Sequence, residues 1–403
     1  MRRTRTTTGL AGTVAALLLL ATPSPGQLEI TPPTSEPRTA SEMSQWDRPI
    51  PEGAANVTFS ATPIGGSRVL LIVDSQRPRG MAFTSNSLID LDLRTGEWTA
   101  RHPVARRIRP FDHAAGKLLF RVLERGMRDG ETTFVQSVWM LDTADWQAKP
   151  LFEPGEDATH GLVSTGWLSS DGSVAALTME TEAAAARLPR WTALVYRDGD
   201  PEPVTHEAWM IFRYAELSPD GGSILRLTPR IKGDPEAGDP IELGATVLES
   251  IDTATGRSET HDIDLESITS FVLSPDGSNA AVFTYDYDNN HAIDLAVVDL
   301  QQAAIAHTAP TGLMVIEHTP RWIDQGVIVG FRPSYGSPTV GAVLYNAQAE
   351  EIGRWTFPGK VISSWFSLPG EEHPYAVVDN EDIVQLLPDG AFRPVWSLRL
   401  LEK

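Results

Sequence analysis

Cysteine is absent from the 403-residue chain, which excludes disulfide staples, thiolate metal sites, cysteine nucleophiles and lipid attachment through a cysteine. The mature fold must rest on its apolar core, and the chain is long enough to build one. Positive charge is scarce, since 33 Lys and Arg against 53 Asp and Glu leave a formal charge of −20. A field of that sign repels nucleic acid and anionic membrane, so neither is expected as a partner without a local basic patch. Long apolar runs are missing too. The one candidate, Leu10 to Leu20, is too short to span a bilayer. It follows Arg2, Arg3 and Arg5 and precedes the small residues Ser24 and Gly26, the pattern of a cleaved signal peptide over residues 1–26. A secreted or periplasmic location is therefore expected. Residues 27–53, which include Thr31-Pro32-Pro33-Thr34-Ser35-Glu36-Pro37, read as a disordered Pro/Ser/Thr-rich leader.

What the chain has in abundance is a repeated phrase. Leu168-Ser169-Ser170-Asp171-Gly172, Leu217-Ser218-Pro219-Asp220-Gly221 and Leu273-Ser274-Pro275-Asp276-Gly277 each stand between two apolar runs. Glycines at matching places (Gly66, Gly116, Gly172, Gly221, Gly277, Gly326 and Gly370) recur every 44 to 56 residues. Further along each unit, stretches such as Ile89-Asp90-Leu91-Asp92-Leu93 alternate with period two and lead into a second turn, which predicts a hairpin. A unit of about 50 residues with four strands cannot bury both faces alone and must pack on copies of itself. The expected fold is all-β, a seven-bladed β-propeller of four-stranded antiparallel blades over residues 54–403. Pro at the second position and Gly at the fourth suit a type I turn, so the phrase marks structure and not a site. Trp98, Trp146, Trp355 and Trp396 recur near fourth strands, which argues for packing between blades. The last blade, from Ile362 to Leu401, is expected to supply all four of its own strands.

The Leu-Ser-Pro-Asp-Gly phrase, the period and the aspartate-bearing third strand resemble the TolB-type (PD-repeat) propeller family, whose repeat is also seen in propellers of prolyl-oligopeptidase-like enzymes. Three units match closely and four match in hydrophobic pattern alone, so the resemblance is at the level of the propeller repeat. TolB-like chains carry an α/β domain before the propeller, and the peptidases add a hydrolase domain with a Gly-x-Ser-x-Gly elbow. Neither has a counterpart among these residues, and neither family's function carries over.

In a propeller, second-to-third-strand loops and blade-to-blade connections share one face, where function gathers. These segments hold Arg106 and Arg109, Arg125 and Arg128, and Arg187 and Arg190, whose guanidinium forks suit carboxylate or phosphate groups. Acidic neighbours such as Glu124 and Asp129 favour internal pairing instead. Trp209 and Tyr285 belong to an aromatic set on the same face that fits either a peptide or glycan groove or a packed channel lining. The expected function is an exported binding or protein-interaction module taking a protein, peptide or anionic saccharide. The alternative is a metal-assisted lyase or hydrolase acting on anionic saccharides. It is similar to seven-bladed uronate lyases, in which histidines converge on a metal; His102, His113, His160, His206 and His318 fall near blade entries. No catalytic triad, metal set or phosphate loop stands out, and no cofactor or catalytic residue is expected. Asp286-Tyr287-Asp288-Asn289-Asn290 fails as a calcium hand because His291 and Val297 occupy the glycine and glutamate positions.

Overall fold

The computed structural model describes residues 55–401 apart from 77–83, 102–106, 129–130, 154–162, 182–189, 201, 210–213, 234–241, 287–291, 317–319 and 335. The signal peptide and leader expected over residues 1–53 lie outside them.

Seven antiparallel sheets follow one another along the chain. Blade one comprises β1 (Ala55–Gly65), β2 (Arg68–Gln76), β3 (Thr84–Asp92) and β4 (Trp98–Arg101). Blade two has β5 (Arg107–Ala114), β6 (Lys117–Arg128), β7 (Glu131–Asp142) and β8 (Gln147–Phe152). Blade three has β9 (Val163–Leu168), β10 (Val174–Thr181), β11 (Arg190–Arg197) and β12 (Val204–Trp209). Blade four has β13 (Ala215–Leu217), β14 (Ser223–Lys232), β15 (Glu242–Asp252) and β16 (Ser258–Asp262). Blade five has β17 (Ile268–Leu273), β18 (Asn279–Asp286), β19 (Ala292–Asp299) and β20 (Ala304–Leu313). Blade six divides its inner strand into β21 (Val315–Ile316) and β22 (Arg321–Ile323), both paired with β23 (Gly326–Arg332), then β24 (Thr339–Tyr345) and β25 (Glu351–Pro358). Blade seven has β26 (Ile362–Phe366), β27 (Tyr375–Val378), β28 (Asp382–Leu386) and β29 (Phe392–Ser397). The fold is the expected seven-bladed propeller.

The recurring phrase explains its own turn. Ser218 Oγ donates to Asp220 Oδ1 at 2.6 Å and accepts the Ser223 amide at 2.9 Å, while Asp220 Oδ1 accepts the Gly222 amide at 2.9 Å. Ser169 with Asp171 and Ser274 with Asp276 repeat the arrangement. These bonds, led by that from Ser169, hold the Asp171 carboxyl down at about 2. Gly221 takes φ +71° in this turn, and a Cβ there would stand 2.6 Å from Val174 Cγ2 of the previous blade. The Ser170 amide also donates to Pro219 O at 2.7 Å. The phrase is thus both a turn and a contact between blades.

Each blade interface has its own apolar cluster. Ile72 and Leu118 meet between blades one and two, Leu119 and Leu177 between two and three, and Val195 and Ile224 between three and four. Leu227 and Val282, Val297 and Val329, and Ile328 and Ala376 fill the next three interfaces. The ring closes where Phe59, Val69 and Trp98 of blade one meet Phe366, Tyr375 and Trp396 of blade seven. Among the described residues no strand crosses that seam, because β1 to β4 and β26 to β29 form separate sheets. Side chains close the ring instead: Phe59 packs edge-on to Trp396 with ring centroids 5.7 Å apart. Trp98, Trp146, Trp355 and Trp396 are all buried in these clusters, as their recurrence predicts.

Candidate functional site

Inner strands leave one edge unpaired, and their amide groups face the axial channel, where each needs a partner. Two carboxylates answer that need in the same way. Asp112 of β5 accepts the Leu168 amide of β9 at 2.8 Å on Oδ2 and the His113 amide at 2.8 Å on Oδ1. Glu216 of β13 accepts the Leu273 amide of β17 at 2.8 Å on Oε2. Leu168 and Leu273 are the leading residues of the repeated phrase, so each carboxylate clips an inner strand to the start of the next blade's turn.

Both carboxylates open onto a cavity of about 550 Å³ to which all seven blades contribute. Phe111, Trp167 and Trp322 give it aromatic walls, and Arg321 of β22 brings a cation. A second cavity of about 620 Å³ shares Pro63, His113, Ala114 and Ser367 with the first and opens among the first turns of blades one, two, six and seven. The two make a funnel at the end of the channel where the repeated turns stand.

The electrostatics of this space are set by enclosure. Asp112 and Glu216 keep part of their surface open to channel water, yet protein surrounds them. Burial pushes the Glu216 carboxyl up to about 8, the Asp112 charge adds to the rise, and Arg321 opposes it. Burial also raises the Asp112 carboxyl. Burial and the Arg321 charge together push the His113 imidazole down to about 3, so it is neutral at ordinary pH. Arg321 makes no hydrogen bond or ion pair with any of the described residues, although three ionisable groups feel its charge.

Of the residues expected to bind from sequence, Arg109, Arg190 and Tyr285 have described side chains, and none of the three lines this cavity. Arg109 of β5 pairs with Asp74 of β2, Nη1 to Oδ2 at 3.2 Å. Arg190 of β11 pairs with Glu207 of β12. Arg125 and Arg128 lie within β6 and not in a loop, because the β6–β7 ladder continues to the pair Arg128 and Glu131. Tyr285 of β18 is partly buried against the cluster between blades five and six. Trp209 ends β12 opposite Arg190. The side chains of Arg125, Arg128 and Trp209 lie outside the described residues, as do Arg106 and Arg187 entirely. Trp191 and Trp365 are buried in interblade clusters.

Of the five histidines near blade entries, His102, His160 and His318 lie outside the described residues. His206 is buried, with Nε2 3.1 Å from Thr253 O, tying blade three to blade four. Among the described residues no group of three or more His, Asp or Glu side chains is placed to hold a metal ion. Among the described residues no helix is long and apolar enough to cross a membrane. Asp112, Glu216 and Arg321 escaped the sequence reading. Their signal was a charge inside an otherwise apolar inner strand, as in Ala215-Glu216-Leu217.

No family model matches the chain, and no curated protein matches it. Solved structures do. The acylaminoacyl peptidase of Pyrococcus horikoshii is 12% identical with a TM-score of 0.56, over 86% of this chain and 53% of that one. The β-propeller domain of the Trilobed protease from Pyrococcus furiosus, which has an open velcro topology, is 11% identical with a TM-score of 0.54, over 85% of this chain and 99% of that one. The chain thus spans about half the length of the peptidase and nearly the whole of the isolated domain. These likenesses define the class: a seven-bladed propeller similar in fold to peptidase-associated propeller domains. At such identity they speak for the fold alone. They do not single out the TolB-type family among propellers that share the repeat.

Proposed function

We propose that the chain is an exported binding module whose ligand enters the axial channel from the end bearing the repeated turns. The observation that carries this reading is the cavity of about 550 Å³ itself. It joins aromatic walls to a few charged groups, the composition expected of a ligand site. A protein segment, a peptide or an anionic saccharide fits the reading. Nucleic acid does not, given the overall charge of −20. Export rests on the signal-like residues 1–26, and fractionation of cells expressing the full chain tests it: retention of the unprocessed chain in the cytoplasm removes that part.

The binding reading is tested by screening the mature protein against short peptides and uronic acid oligomers by thermal shift. Each hit is then repeated on Ser367→Trp, which places an indole where the two cavities join. Hits abolished by Ser367→Trp, with folding intact by circular dichroism, support the channel as the site. Hits that persist unchanged place binding elsewhere and refute it.

A further inference from the structure

We infer that the channel site takes a small dipolar ligand of the amino acid or dipeptide class, its carboxylate on Arg321 and its ammonium on Glu216 and Asp112. The inference deepens the binding reading above and rests on it.

Three features lead here. The cavity contains charges of both signs that are not spent on each other, since no ion pair within 4.0 Å joins Arg321 to Asp112 or Glu216. Arg321, exposed at the rim of the cavity, commits none of its donors to a described residue, and a guanidinium fork matches a carboxylate by two parallel hydrogen bonds. Glu216 uses Oε2 for the Leu273 amide and leaves Oε1 without a partner among the described residues. Asp112 uses one amide on each oxygen and keeps lone pairs for more. An ammonium has three donors to divide among such acceptors. The complement of an unspent cation and two acidic acceptors lining one open cavity is a ligand carrying both charges, not an anion or an amine alone. Phe111, Trp167 and Trp322 offer apolar surface for whatever side chain the ligand bears.

A proton should move when such a ligand binds. The titratable and charged groups facing the space are Asp112 and His113 on β5, Glu216 on β13 and Arg321 on β22; β9 and β17 present none there. Glu216 is protonated up to about pH 8 in the free protein, and an arriving ammonium favours its carboxylate form. Binding near neutral pH then releases a proton, and affinity rises with pH until Glu216 is ionised beforehand.

The test is isothermal titration of the mature protein with the dipeptide Ala-Phe, its N-acetyl form and its C-terminal amide. The expected result is saturable binding of Ala-Phe, weakened about ten-fold or more by either cap, the loss associated with one charge-assisted hydrogen bond. Arg321→Gln should weaken Ala-Phe and leave the amide unaffected. Glu216→Gln, which keeps an acceptor for the Leu273 amide, should weaken Ala-Phe and leave the N-acetyl form unaffected. Titration at pH 7 in two buffers of different ionisation heat should show proton release. Equal binding of capped and uncapped forms overturns the inference, as do equal losses for both in each variant. If no dipeptide binds while another ligand is lost on Ser367→Trp, this inference fails and the channel reading stands. If nothing that binds is sensitive to Ser367→Trp, both fail.

Discussion

Replacing Glu216 by glutamine should make the stability of the protein less dependent on pH, by an amount the structure bounds. In the folded state the Glu216 carboxyl titrates near 8 in place of its ordinary 4.5, because burial and Asp112 disfavour its charge. Between those values the folded protein holds a proton that the unfolded chain has released, so stability is full below pH 4.5 and falls as pH rises through 8. The whole interval corresponds to a ceiling of about 5 kcal/mol at 1.36 kcal/mol per unit, and channel water screens part of it. His113 acts in the opposite sense. Its imidazole titrates near 3 when folded against 6.5 when unfolded, so it adds stability as pH rises from 3 to 6.5. From 4.5 to 6.5 the two slopes oppose each other; from 6.5 to 8 the His113 slope is spent, and the Glu216 contribution, in the same sense as that of the raised Asp112 carboxyl, has a ceiling of about 2 kcal/mol. Urea midpoints of wild type and Glu216→Gln at half-unit steps from pH 5 to 8.5 measure it. Wild type should lose stability relative to the variant above pH 6.5, and Asp112→Asn should shrink the effect by lowering the Glu216 value. A difference between wild type and Glu216→Gln that stays constant across pH 6.5 to 8 would refute the enclosure argument for the channel.

Gly221→Ala should destabilise by about 2 to 5 kcal/mol, combining left-handed strain with overpacking, because its new Cβ meets Val174. Gly66→Ala, at φ +58° with nothing within 4 Å, should cost only the strain of about 1 to 2 kcal/mol; equal denaturation midpoints for the two would contradict the blade contact. Trp396→Ala empties the seam between blades one and seven and should cost about 3 to 5 kcal/mol, read as early exposure of both blades in hydrogen exchange; uniform exchange around the ring would count against a side-chain seam. Arg226 is buried and its Nε donates to Glu249 Oε2 at 2.6 Å, so Arg226→Ala, which strands the carboxylate, should cost about 3 to 5 kcal/mol and the double change with Glu249→Ala less. A double-mutant cycle checks this, and additive losses would show no coupling.

The architecture was legible because its signals are local. Ser218, Asp220 and Gly221 make their turn with hydrogen bonds that span at most five residues, so the phrase announces itself wherever it occurs. The tryptophans were legible for a related reason, since a residue that recurs with the repeat must serve the repeat. The channel was not legible. Asp112 meets the Leu168 amide 56 residues away, and Glu216 meets Leu273 across 57. Neither distance leaves a trace in hydrophobic period. Reading function from loops pointed to the opposite face, where Arg109 and Arg190 are held by acidic neighbours. The phrase itself was read as purely structural. Its leading leucines are in fact the backbone against which the channel carboxylates are aimed.

A seam made of side chains gives the ring no privileged first blade. Every junction, the closing one included, is an apolar cluster between two complete sheets, so none depends on which blade holds the chain's first or last strand. New ends could be opened between any two blades and the old ones joined by a linker, and the same seven clusters would form. In folding terms the molecule is a cycle of apolar junctions, some of them reinforced by turn and carboxylate contacts.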